Sequence, residues 1–181
     1  ENDALLKNGD LLLIDAGCEY QHYASDITRT FPVNGRFSKE QQALYELVLA
    51  SQLAAIAEVK PGKHWNAPHE AVVDVLTQGL VDLGLLSGEV NELKQTEAYR
   101  RFFMHRTGHW IGMDVHDVGD YKVDGEWRVQ ETGMVMTVEP GLYVSPDDDT
   151  VDDKWRGIGI RIEDDVVVTK SGHDVITADA P

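Results

Sequence analysis

An α+β fold, in which helices cover one face of a mainly antiparallel sheet, is predicted from three features of this 181-residue chain. Strand-like runs occupy both ends and helical patterns the middle, in the order hairpin, helices, hairpin. The segment Gly9-Asp10-Leu11-Leu12-Leu13-Ile14-Asp15-Ala16-Gly17 is echoed by Gly133-Met134-Val135-Met136-Thr137-Val138-Glu139-Pro140-Gly141. Both read glycine, apolar strand, carboxylate, small or cyclic residue, glycine. Each is followed by a second strand with another acid, Asp26 in one case and Glu163 in the other.

Leu11 to Ile14 is a continuous apolar run between turn residues, which predicts a strand buried on both faces. Tyr23 to Val33 is rich in aromatic and β-branched residues and is its hairpin partner, stopped by Pro32 and Asn34-Gly35. Ser38-Lys39-Glu40-Gln41 is a capping box. The helix it opens carries Leu44, Leu47, Val48, Ser51 and Ala55 on one face and ends before Pro61-Gly62. A second helix starts at Asn66 as cap with Pro68 in its first turn. It buries Val72, Val75, Leu76, Leu80 and Leu83 and stops near Gly84 to Gly88. A shorter amphipathic helix is expected around Glu89 to Phe103. Then come a Gly- and His-rich stretch, Met104 to Gly119, and a polar loop, Asp120 to Glu131. Strands are expected at Met134 to Val138, Leu142 to Val144, Ile158 to Val168 and Val175 to Thr177. Between them Ser145 to Arg156 reads as a solvated acidic turn, lacking the spacing of a calcium loop.

Composition narrows the function. Hydrophobic content of 42% and charged content of 27% are those of a globular domain of this length. A net charge of −16 and a pI near 4.6 argue against nucleic acid. No apolar run reaches the length of a membrane span, and no signal peptide opens the chain. Cys18 is the sole cysteine, so no intrachain disulfide forms, and a reducing, cytoplasmic compartment is expected. Cys18 itself reads as a small buried hydrophobe. The chain opens on Glu1 and enters a strand almost at once, which suggests a fragment with its upstream part removed.

Four carboxylates delivered by two related hairpins would form a dense negative site. Burying uncompensated charge is costly, and divalent metal ions are the usual remedy. Asp15 ends an apolar strand, and Asp26 lies on the returning strand, where an antiparallel hairpin can set the two side by side. The alternatives are a turn-capping Asp15 and a surface pair of Asp26 with Arg29. Glu139 ends a second apolar strand. Glu163 is embedded before Val166-Val167-Val168 and shares a strand face with Arg161, which suits an ion pair or an arginine that orients a ligand carboxylate. His105, His109 and His116 cluster in one Gly-bearing stretch without the H-E-x-x-H spacing of helix-borne zinc enzymes. His22, His64, His69 and His173 have no such context and read as surface positions. Four carboxylates with one imidazole make a hard, oxygen-rich donor set, better suited to manganese than to structural zinc. Paired divalent ions sharing a water are hydrolytic tools, so an enzyme is the leading reading.

LLLIDAGCEY, SDITRTFPVNG, GHWIGMDVHDVG, MVMTVEPGLY and RGIGIRIEDD, in this order, resemble motifs of the pita-bread metallopeptidases, and among them of the bacterial Xaa-Pro aminopeptidases. The resemblance implies the pita-bread fold, a pseudo-two-fold sheet with helices on one face, and a catalytic domain over residues 1–181 that lacks its first strand and an upstream N-terminal domain. It implies two divalent ions, manganese foremost, held by Asp15, Asp26, His109, Glu139 and Glu163. Asp26 and Glu163 would bridge both ions, Asp15 would serve one, and His109 and Glu139 the other. Glu139 would also act as general acid/base. His116 would bond the scissile carbonyl region, His105 would line the proline pocket, and Arg161 and Tyr143 would support substrate binding. The implied reaction removes the residue ahead of a proline at the second position of a peptide, in a full-length protein that is a homo-oligomer. Xaa-Pro is a tertiary amide without an N–H, so a site that needs no such donor suits it. Two alternatives stay open. One is a prolidase of the same fold acting on Xaa-Pro dipeptides, and the other is an inactive peptide-binding fragment.

Overall fold

The computed structural model describes residues 3–181, and helices and antiparallel ladders alternate along it much as the sequence implies. β1 (Leu11–Ala16) is followed by a two-residue ladder of β2 (Glu19–Tyr20) and β3 (Tyr23–Ala24), then by β4 (Ile27–Pro32), which pairs antiparallel with β1. The expected strand from Tyr23 to Val33 is thus two pieces. Its middle is drawn to other partners: Ala24 N–H donates to Gly112 O at 2.8 Å and Ser25 N–H to Cys18 O at 2.9 Å. Two further expectations fail here. Ile14 is 43% exposed, because β4 is the only ladder partner of β1 among the described residues. Cys18 is exposed too, its Sγ 3.4 Å from Ser25 Oγ.

α1 (Lys39–Ala57) begins at the predicted capping box: Ser38 Oγ accepts from Gln41 N–H at 3.1 Å, and Gln41 Oε1 accepts from Ser38 N–H at 2.9 Å. Gln41 Nε2 also donates to Gly9 O at 2.9 Å, which ties the helix start to the entry of β1. α2 (Ala67–Asp82) packs against α1 so closely that a Cβ on Gly79 would lie 2.3 Å from Leu47 Cδ1. It buries Val72, Val73, Leu76 and Leu80, so Val73 takes the place predicted for Val75. Asn66 stands at the N-cap without capping: its amide donates to Glu70 Oε1 at 2.8 Å instead.

The single helix expected over Glu89 to Phe103 is broken. α3 (Val90–Gln95) buries no residue, Glu97 turns left-handed at φ 53°, and one 3-10 turn, Ala98–Arg101, inserts Tyr99 into the core. The polar loop after Asp120 contains a hairpin, β5 (Lys122–Val123) with β6 (Glu126–Trp127), turned by Asp124-Gly125 at φ 52° and 86°. Asp-Gly is a preferred pair for such a turn, so the hairpin has a local signal in the sequence.

The remaining strands are β7 (Val135–Val138), β8 (Gly141–Tyr143), β9 (Gly159–Arg161), β10 (Asp164–Val168) and β11 (His173–Val175). β8 pairs with β9, and β10 lies between β7 and β11, all antiparallel. The expected strand from Ile158 to Val168 divides because Ile162 N–H turns to Pro140 O at 3.3 Å and Glu163 N–H to Thr28 O at 3.0 Å. The acidic loop is not wholly solvated either, since Val151 and Trp155 are buried. Instead of one continuous sheet there are short ladders, stitched by isolated pairs of Thr28 with Glu163 and Trp110 with Met136. Leu44, Val48 and Leu76 of the helices join Met136, Leu142, Ile160 and Val166 of the strands in one apolar core.

Candidate metal centre

The two echoing hairpins meet at the Thr28–Glu163 pair. In the first, Asp15 is opposite Thr28 and therefore diagonal to Asp26, which immediately precedes β4. In the second, Val138 is opposite Asp164, so Glu139 just past β7 and Glu163 just before β10 fall at the same end of the ladder. Acids are thus delivered from strand ends to a common seam. Glu163 is buried, and Thr28 Oγ1 donates to its Oε2 at 2.5 Å. Asp26 is fixed from behind: its backbone N–H donates to Asp165 Oδ2 at 3.1 Å.

His109 arrives on an irregular segment laid beside β7. Thr137 N–H donates to His109 O at 3.0 Å, Glu139 N–H to Thr107 O at 2.8 Å, and His109 N–H to Thr137 Oγ1 at 3.1 Å. That approach requires Gly108, because a Cβ there would sit 2.0 Å from Thr137 O. Gly108→Ala is expected to lower stability by about 1–3 kcal/mol, the usual range for overpacking, and to push His109 away from the acids. Thermal unfolding reads the loss of stability.

His109 Nδ1 lies 3.0 Å from Trp110 O, which assigns the proton to Nδ1 and leaves the Nε2 lone pair facing the acids. Nε2 is 3.5 Å from Asp26 Oδ2 and 3.7 Å from Glu139 Oε1. One donor atom each from Asp26, His109 and Glu163 lie within 4.8 Å of one another. Asp15 is set further out, with a half-exposed carboxylate that accepts from Arg161 Nη2.

These acids are short of positive charge. Burial pushes Glu139 up to about 7 and, with the neighbouring Glu139, Glu163 up to about 8. Burial and then Asp15 raise Asp26, and burial raises Asp165 to about 6. Arg161 is the cation beside them, and its donors are spread thin. They reach Thr28 Oγ1 at 3.1 Å, Tyr143 OH at 3.4 Å and Asp15, with Glu163 Oε2 only at 3.9 Å. The alternative of a tight Arg161–Glu163 pair therefore does not neutralise Glu163. Nor does Arg29 pair with Asp26: it bonds Asp164 Oδ1 at 2.8 Å and Glu163 O at 2.7 Å. Oxygen donors in excess, one imidazole nitrogen aimed at them and too few cations fit hard divalent ions.

His105, His109, His116, Glu139 and Arg161 line a cleft of about 840 Å³ with Trp65, Tyr121 and Trp127 on its wall. His105 Nε2 is 2.9 Å from Tyr143 OH and its Nδ1 is 2.7 Å from Arg106 O. The His116 ring stands edge-on to that of His109, 4.3 Å between centroids. Sequence reasoning missed Thr28, Thr137 and Asp165 as supports, since buried threonines in strands look like ordinary β-formers. It also misplaced His69. That ring is held off the surface by Thr107 Oγ1 at 2.8 Å and Phe103 at 5.6 Å, and burial lowers it to about 4. His22 is exposed as expected, and His173 is exposed while bonding Val59 O at 3.0 Å. His64 is half-buried beside Glu70 rather than fully at the surface.

Comparison with known proteins places this geometry in context. Residues 1–170 match metallopeptidase family M24. The chain is 54% identical over 181 residues to the Xaa-Pro aminopeptidase of Haemophilus influenzae, covering 100% of this chain and 42% of that protein. It is 52% identical over 178 residues to the Xaa-Pro aminopeptidase of Escherichia coli, covering 98% and 40% respectively. Among solved structures it is similar to the Pseudomonas aeruginosa aminopeptidase PepP, with a TM-score of 0.99 and 66% identity over 100% of this chain and 41% of that one. The chain spans about two-fifths of the length of these relatives.

Proposed function

The chain belongs to metallopeptidase family M24, and we propose that it forms the catalytic region, in the pita-bread arrangement, of an enzyme that releases the N-terminal residue of peptides with proline second. The observation that carries this reading is the convergence of Asp26, His109 and Glu163 within 4.8 Å of one another, beside a cleft that His109 and Glu139 line. The names of its relatives supply the substrate class.

Asp15, Asp26, His109, Glu139 and Glu163 would hold two divalent ions, manganese being the proposed metal. When bound, such a pair supplies positive charge to polarise a carbonyl and to acidify water near neutral pH. The protein's own part lies in the placement of protons and substrate. Glu139, 3.7 Å from His109 Nε2 and facing the cleft, is placed to take a proton from the attacking water and return it to the leaving proline nitrogen. His116, beside His109, is placed to donate to the carbonyl oxygen as it gains charge. His105, oriented by Tyr143 and the Arg106 carbonyl, lines the wall for the proline ring, and Arg161 keeps Tyr143 in place.

The deciding assay compares Xaa-Pro-Yaa with Xaa-Pro on the full-length protein. Cleavage of tripeptides supports the aminopeptidase, whereas cleavage of the dipeptide alone assigns a prolidase. His116→Ala is expected to reduce kcat roughly 10²-fold, as for loss of one oxyanion donor, with manganese content unchanged. Joint loss of metal and activity would instead make His116 a ligand.

A further inference from the structure

We propose that Arg106 and Lys122 form a carboxylate-binding subsite on the leaving-group side of the cleft, so that peptides presenting an anion just after the proline are preferred. This rests on the peptidase reading and names a feature of its substrate. Acids outnumber bases two to one in this chain, 32 to 16, so a basic side chain facing a cleft and left without an acidic partner is notable. Both residues line the cleft, and among the described residues neither has a carboxylate within 4.0 Å. The cleft's third cation, Arg161, is already engaged by Asp15.

Their placement is built rather than incidental. Lys122 and Trp127 are cross-strand partners of the β5–β6 hairpin, which the left-handed Asp124-Gly125 turn closes. Lys122 Nζ lies 4.2 Å from the Trp127 ring centroid and Arg106 Cζ 5.3 Å from it, so one indole holds both cations. Arg106 is further fixed by Asn66 Oδ1, the amide that fails to cap α2. Arg106 also directly follows His105, so its charge adjoins the wall proposed for proline. A carboxylate arriving one residue later would reach the part of the cleft wall that carries both cations against Trp127. Free C-terminal carboxylates and Asp or Glu side chains share this chemistry.

The test uses the full-length, manganese-loaded protein and three uncleaved probes of the leaving product: Pro-Ala, Pro-Ala-amide and Pro-Glu-amide. Calorimetry is expected to show Pro-Ala binding roughly tenfold tighter than Pro-Ala-amide, the scale of a charge-assisted contact. In the double variant Arg106→Met, Lys122→Met this advantage should vanish while the affinity for Pro-Ala-amide, a check on folding, stays the same. A gain for Pro-Glu-amide over Pro-Ala-amide assigns side-chain carboxylates as a second source. Equal affinity of acid and amide probes in the wild type, with no gain for Pro-Glu-amide, overturns the subsite, as does an advantage that survives the double variant. Because binding is read without turnover, a protein that discriminates these probes yet cleaves no Xaa-Pro peptide would refute the peptidase reading alone.

Discussion

Glu163→Gln, under the proposed metal site, is expected to abolish manganese binding and, in the full-length protein, peptidase activity together, yet to make the metal-free protein more stable than the wild type above pH 8. The side chain is buried, and its carboxyl is held up to about 8 by burial and by Glu139. Each tenfold change in proton affinity is worth about 1.36 kcal/mol, so ionising this group in the folded, metal-free protein costs stability on the order of a few kcal/mol. Glutamine keeps the shape and can still accept from Thr28 Oγ1, which donates at 2.5 Å, but it carries no charge to bury. It also removes the charge that a pair of cations needs. Elemental analysis after dialysis, with thermal unfolding in chelator at pH 8.5, reads both effects. Retained metal stoichiometry in the variant would remove Glu163 from the ligand set. The same pair of measurements on Asp26→Asn should move in the same directions by less, since Asp26 is the less buried of the two.

Metal uptake should release about two protons per chain near pH 6 and almost none at pH 9, because ligands must be deprotonated to bind. Glu139 at about 7 and Glu163 at about 8 are both protonated at the lower pH and both ionised at the higher. The sign for stability follows from linkage. Between the ordinary carboxyl value of 4.5 and about 8, the folded, metal-free protein holds more protons than the unfolded chain. Its stability therefore falls as pH rises through that window and levels off above it. In the proposed site, bound cations would take over the compensation that protons provide at low pH. The rise in Tm on adding manganese should accordingly grow from pH 5 to pH 8. Buffer-dependent calorimetry counts the protons, and a pH series of melting curves with and without chelator gives the stability window. A metal effect on Tm that is flat over this range would contradict the charge account.

Much of this was legible in the sequence where local chemistry decides the outcome. The capping box at Ser38 and Gln41 forms as written because both partners lie within one turn. The echo of the two glycine-bounded strands is visible as an acid at each strand end, and the ladders set Asp15 diagonal to Asp26 and Glu139 at the same end as Glu163. What stayed hidden depended on distant partners. Asn66 looked like a cap, but its amide is taken by Glu70 and Arg106. Ile158 to Val168 looked continuous, but Pro140 and Thr28 capture the two residues that carry Glu163 into the site. His69 showed no local signal because Thr107 and Phe103, which enclose it, are far along the chain. Asp165, which holds the Asp26 amide, was masked by its acidic neighbours.

Elemental analysis of the folded protein, dialysed at pH 8 against trace manganese, bears most directly on whether these clustered acids exist to hold cations. About two ions per chain are expected, as in two-metal hydrolytic sites, falling to background in Glu163→Gln. A well-folded wild-type protein that retains no divalent metal under these conditions would show that protons and Arg161 alone satisfy the cluster, and the account would be wrong.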